Sequence, residues 1–238
     1  MAKPIIIDPG HGPHHTKAGM RGEDYDPGTG CTKEGTQYDE AKIVRAVVKS
    51  LIGKLAEADA DIKAITTDEC IGYVASGLID NVVDDKTKSI ALRQRVIDAA
   101  EYARDTCKTP PVFFLSVHVN ANSNLPDAHG ADIFYWNPQE ATADWAFAEN
   151  FMKNYLDYTL SFGGERYKTF IQGKRNLPDE VNYAVLRHAL RQGIENSLLI
   201  ELGFITNEND SAILCNEDDQ KIIGEALALA VADALTQK

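Results

Sequence analysis

Three short runs of β-branched and aromatic residues, at 4–8, 111–119 and 197–202, each stop abruptly at polar residues, and this pattern constrains the fold more than any other feature. Continuous apolar runs of this length read as strands covered on both faces. Residues 61–67 and 131–136 add two further strands, the first mixing polar with apolar positions as a partly covered strand does. Helical patterns lie between them. In 40–55, Ile43, Val44, Val47, Val48, Leu51, Ile52 and Leu55 recur at helical spacing, while Lys42, Arg45, Lys49 and Lys54 fall on the other face. Similar patterns cover 89–104, 141–160 and 220–235. Strands alternating with helices predict a three-layer α/β/α single domain, residues 1–238, with a twisted, mostly parallel sheet. Irregular excursions are expected at about 12–37, 69–85 and 161–178.

The 238 residues, 44% of them hydrophobic, supply enough apolar surface for one large core and exclude a disordered chain. With 24 Lys and Arg against 36 Asp and Glu, the net charge of −12 argues against nucleic acid as a partner. No apolar stretch is long enough for a membrane anchor, and the run after Met1-Ala2-Lys3-Pro4 is too short for a signal peptide. The expectation is synthesis in the cytoplasm. Cys31, Cys70, Cys107 and Cys215 are scattered singly, without CxxC pairs, and read as reduced thiols. Cys31 stands near the candidate ligands named below, but an incidental packing thiol is the simpler reading.

Open α/β sheets place ligand sites at the carboxyl ends of their strands, and the polar clusters lie where apolar runs stop. In Ile7-Asp8-Pro9-Gly10-His11-Gly12 a buried strand ends in a Gly-flanked turn that exposes an imidazole. In Ser116-Val117-His118-Val119-Asn120, alternation puts Ser116, His118 and Asn120 on one face. Each histidine alone is equally a solvated loop residue or a satisfied core residue. Glu40 opens the 40–55 helix, where the helix dipole also favours a carboxylate. Glu201 interrupts an apolar run, and burying a carboxylate without a partner is costly, so it calls for a cation or a catalytic role. Two histidines, a carboxylate and an open position for water would suit zinc. Their spacing matches no local motif of the HExxH type, and the sequence has no GxSxG elbow, Walker loop or dinucleotide fingerprint.

Several of these segments, in order, resemble the zinc-dependent N-acetylmuramoyl-L-alanine amidases of the amidase-3 family. Ile7 to Gly12 resembles the opening metal motif, Asp26-Pro27-Gly28 the DPGA segment, and Leu92-Arg93-Gln94-Arg95-Val96 the SLxxRxxxAN helix. Ser116 to Ala121 is similar to the SIHxNA strand, His129-Gly130-Ala131-Asp132-Ile133-Phe134-Tyr135 to the strand that follows, and Ala184-Val185-Leu186-Arg187 to a VLR-like segment. Glu201-Leu202-Gly203-Phe204-Ile205-Thr206-Asn207 resembles the ExGFxTN signature. The resemblance implies His11, Glu40 and His118 as zinc ligands, Glu201 as the catalytic residue, and Asp8 and Asn120 as residues orienting the histidines or substrate. It also implies hydrolysis of the amide joining N-acetylmuramic acid to L-alanine, with peptidoglycan or a muropeptide as partner.

Two insertions depart from the family pattern. Residues 13–25 bring His14 and His15 as alternative ligands or solvated loop residues, and make Glu34 a competitor of Glu40; this segment is expected to form a substrate-facing rim. Residues 69–83 form the other. A wall hydrolase without a signal peptide suggests an endolysin-like enzyme released by another protein, or the mature domain of an exported one. The alternatives are another zinc amidohydrolase or carboxypeptidase, and a catalytically silent wall-binding module.

Overall fold

The five expected runs become strands of one six-stranded sheet, β1 (Lys3–Pro9), β6 (Ile62–Thr66), β7 (Phe113–Asn120), β8 (Asp132–Tyr135) and β10 (Ser197–Phe204), and β9 (Asp179–Glu180), which the sequence pattern does not mark, adds the sixth. The computed structural model describes residues 2–16, 20–74, 85–125, 127–136, 142–168, 179–194 and 196–236, excepting the side chains of 13–16, 20–25, 85–91, 142–144 and 179–180. The strand order is β6-β1-β7-β10-β8-β9. The first four strands run parallel, β8 pairs antiparallel with β10, and β9 runs parallel to β8.

Helix α1 (Glu40–Ala58) is capped by Asp39, whose side chain accepts from Lys42 N, and it buries the predicted stripe of Ile43, Val44, Val47, Val48, Leu51 and Leu55. Together with α3 (Thr142–Gly163) and α6 (Glu217–Thr236), it covers the sheet face that presents Ile5, Ile7, Leu115, Val117, Leu198 and Ile200. At Gly224 of α6 an added Cβ would meet the Val47 carbonyl oxygen of α1 at 2.4 Å. The opposite face presents Ile6, Phe114 and Leu199 to α2 (Asp85–Cys107) and α4 (Ala184–Arg191). These layers form the expected α/β/α domain.

The excursion at 12–37 is not irregular. It contains the antiparallel hairpins β2 (Gly12–Thr16) with β3 (Met20–Asp26) and β4 (Gly30–Lys33) with β5 (Thr36–Asp39). Their sequences are polar and lack the apolar alternation that marks a strand. Of the other two excursions, Asp68–Cys70 and Gly164–Tyr167 are 3₁₀ turns, while 75–84 and 169–178 lie outside the described residues. Helix α4 and α5 (Glu208–Leu214) also escape the sequence pattern, since two turns offer too few positions for a period. All four cysteines are free, and Cys31 Sγ lies 3.7 Å from Cys215 Sγ. Among the described residues, no helix is long and apolar enough to cross a membrane.

Candidate metal centre

On the sheet face toward α2, apolar residues give way to polar ones at the carboxyl ends: Ile6 is followed by Asp8, Phe114 by Ser116 and His118, and Leu199 by Glu201. Just past β1, the Gly10 amide donates to the Val117 carbonyl at 2.8 Å, which draws the turn against β7. There is no room at Gly10 for a side chain, because a Cβ would lie 2.5 Å from Cε1 of His118. His11 follows in the left-handed region, at φ 55°. Its ring centroid stands 5.2 Å from that of His118, edge to face.

Glu40 joins the two imidazoles. Its Oε1 lies 3.0 Å from His118 Nδ1 and its Oε2 3.3 Å from His11 Nε2. The carboxylate also accepts the amides of Val119 at 2.9 Å and Thr29 at 3.1 Å. Gly28 closes this side: its φ of 68° suits glycine, and a Cβ there would sit 2.5 Å from Glu40 Oε2. His11, Glu40 and His118 each offer a donor atom, all within 4.8 Å of one another, so they could hold a metal ion.

Burial alone would raise the pKa of Glu40, but the His118 hydrogen bond, the charges of His118 and His11 and the Val119 amide together hold it below the ordinary carboxylate range. His118 moves the opposite way. Burial lowers it, and the Glu40 hydrogen bond with the charges of Glu201, Glu40 and Asp8 raises it by more.

Glu201 is the register partner of His118 in the parallel β10–β7 ladder, so both side chains leave the same face of the sheet. The next paired residues are Phe204 and Asn120, a register shift that ends regular pairing just beyond the carboxylate. Glu201 Oε2 is buried and, among the described residues, has no hydrogen-bond partner. Burial pushes its pKa up to about 7; the charge of His118 opposes this, while Glu40 and Asp132 add to it.

The remaining candidates separate. Asp8 accepts from Thr67 Oγ1 at 2.8 Å and Ser116 Oγ at 2.7 Å, and pairs with Arg95. Asn120 Oδ1 accepts the Ala121 amide at 2.8 Å, shaping the strand end. Glu34 is exposed in the β4–β5 turn, apart from the cluster that Glu40 joins. The side chains of His14 and His15 lie outside the described residues.

Two residues gain a place that the sequence reading did not give them. Asp26 Oδ2 lies 2.9 Å from His11 Nδ1, which holds that edge of the ring and leaves Nε2, 3.3 Å from Glu40 Oε2, facing the cluster. The signal was the Asp26-Pro27-Gly28 match. Arg45, read as a solvent-face residue of α1, instead ion-pairs with Asp68 and binds the His11 carbonyl. Helical periodicity carries no trace of that.

The sequence profile described as N-acetylmuramoyl-L-alanine amidase (Amidase_3) matches residues 5–233. Among curated proteins, no sequence matches. Solved structures share the fold. The N-acetylmuramoyl-L-alanine amidase from Clostridium difficile 630 is 22% identical with a TM-score of 0.63, covering 100% of this chain and 98% of its own. The CwlD amidase from Clostridioides difficile, solved in complex with the GerS lipoprotein, is 20% identical with a TM-score of 0.65, covering 99% and 100%. AmiC2 of Nostoc punctiforme, another such amidase, is 21% identical with a TM-score of 0.62, covering 99% and 98%. These likenesses concern the fold; it is the profile match along nearly the whole sequence that establishes that the chain belongs to the N-acetylmuramoyl-L-alanine amidase family.

Proposed function

We propose that this chain hydrolyses the amide between N-acetylmuramic acid and L-alanine of peptidoglycan, using a zinc ion held by His11, Glu40 and His118 and proton transfer by Glu201. The observation that carries this reading is the buried Oε2 of Glu201, which has no hydrogen-bond partner among the described residues, on the same sheet face as His118. Two imidazole nitrogens and a carboxylate oxygen suit zinc, and three protein ligands match the number found at catalytic zinc sites. When bound, the ion supplies Lewis acidity toward the scissile carbonyl and a lowered pKa for water.

The chain's own residues do the rest. Asp26 holds the His11 ring at Nδ1 so that Nε2 is the nitrogen that would ligate, and the Val119 and Thr29 amides hold the Glu40 carboxylate in place. Glu201, whose pKa is raised by burial, stands on the sheet face of His118, where it can take the attacking water's proton and return it to the departing L-alanine amine. The β2–β3 hairpin leaves the site directly after His11 and returns at Asp26, which suits a rim for the substrate. On this reading residues 1–238 form one catalytic domain acting at the cell wall.

Digestion of purified peptidoglycan with mass analysis of the products tests the reaction. Stem peptides with a free N-terminal L-alanine and intact glycan strands are expected. New reducing sugar ends, or cleavage between two stem amino acids, would replace the amidase reading with a glycosidase or a peptidase.

A further inference from the structure

Arg45 stands on α1, five residues after Glu40, and its guanidinium donates every N–H it has. Nε lies 2.9 Å from Asp68 Oδ2 and Nη2 3.0 Å from Asp68 Oδ1, a two-pronged pair. Nη2 also donates to the His11 carbonyl at 2.9 Å. Nη1 donates to the carbonyls of Gly10 at 3.2 Å and Ala41 at 2.9 Å. Two of these acceptors are the consecutive backbone carbonyls at the turn that carries His11, and His11 itself holds a left-handed conformation that side-chain-bearing residues rarely adopt. The guanidinium also lies against Gly12, where a Cβ would meet Nη2 at 2.1 Å. The next residue of the turn is therefore glycine for lack of space as well as for its φ of 84°.

The same helix thus presents Glu40 to the cluster and grips the backbone of His11. Asp68, in the 3₁₀ turn after β6, fixes the direction of the fork. We infer that Arg45, oriented by Asp68, is a positioning residue that sets the placement of His11 relative to Glu40 and so tunes the affinity of the metal centre. The inference rests on the metal reading above. A lysine at 45 would keep the charge but could not engage two carbonyls of the turn and both oxygens of Asp68 in one planar fork.

The test measures zinc affinity by competition with a chromophoric chelator, beside the thermal midpoint of the zinc-free protein, for the wild-type chain, Arg45→Lys, Asp68→Asn and His118→Ala. Residues that orient metal ligands typically contribute about 10–100-fold to affinity. Arg45→Lys is expected to weaken zinc binding within that range, and Asp68→Asn to weaken it less, beyond any change in midpoint. Wild-type zinc affinity in both variants overturns the inference, whatever the midpoints do. If Arg45→Lys does not fold, the affinity of Asp68→Asn decides alone. Weak binding by His118→Ala beside unaltered binding by Arg45→Lys and Asp68→Asn refutes only the positioning role. Equal binding by wild type and His118→Ala refutes the metal reading, and the positioning role with it.

Discussion

Arg95 Nε lies 2.9 Å from Asp8 Oδ1, and with the two side chains 7% and 1% exposed this ion pair is sealed from solvent at the end of β1. Arg95 also donates to the Pro9 carbonyl at 2.8 Å, so the pair anchors the strand end from which the His11 turn departs. Removing one member strands the other charge in the interior, at a typical cost of about 3–5 kcal/mol. Asp8→Ala and Arg95→Met should each lose stability on that scale, and the double variant should lose much less than their sum. Urea unfolding of the three variants measures this; additive losses would show that the two groups do not depend on each other.

Metal content and activity should fall together in His11→Ala, Glu40→Ala and His118→Ala, and neither should change in Glu34→Ala. Metal analysis of the purified variants, run beside peptidoglycan turnover, reads this directly. Full occupancy in His118→Ala, or loss confined to Glu34→Ala, would reassign the ligand set. Adding zinc should also raise the thermal midpoint of wild type, because an ion that binds only the folded state stabilises it in proportion to the logarithm of its concentration.

Glu201→Gln keeps the shape of the side chain but removes its capacity to accept a proton. Zinc content and fold should be retained, while turnover drops by roughly 10²–10⁴-fold, the usual contribution of a general acid–base group. Wild-type turnover with the metal intact would remove Glu201 from the mechanism.

His188, buried in α4, has its pKa pushed down to about 4 by burial and by the charges of Arg187, Arg191 and Arg93. An imidazole in the unfolded chain titrates near 6.5, so below that pH the unfolded state takes up a proton that the folded state refuses. The contribution of the neutral histidine is complete above pH 6.5 and is lost progressively as the pH falls toward 4. A His188→Gln chain has no such proton to take up. Its stability should therefore fall less steeply across this window in chemical denaturation, and parallel curves for the two proteins would contradict the assignment.

The layers, and the strand ends that carry the candidate ligands, were legible because burial writes itself into sequence. Ile5 to Ile7, Phe113 to Leu115 and Leu198 to Ile200 are apolar on both sides of the strand since helices cover both faces. His11, His118 and Glu201 interrupt or terminate those runs, which is where a parallel sheet gathers its polar groups. The hairpins at 12–39 left no such trace, since pairing between backbones needs no apolar alternation. Arg45 was illegible for a different reason. Its partners are the backbone carbonyls of Gly10, His11 and Ala41 and a carboxylate from the turn after β6, and no periodicity on α1 reports what other elements deliver to its polar face.

The close seat of Gly224 against the Val47 carbonyl has a consequence for how the enzyme is born. Helix α1, which carries Glu40 in its first turn, is made early, whereas α6, which covers it, is translated after every other element described. Until residues 217–236 leave the ribosome, Val47, Val48 and Leu51 lack the surface they pack on, and the helix that aims Glu40 has no final resting place. A nascent chain halted before α6 therefore already contains His11, Glu40, His118 and Glu201 but lacks the surface on which the helix carrying Glu40 packs, so the last helix to be made completes the seat of the first.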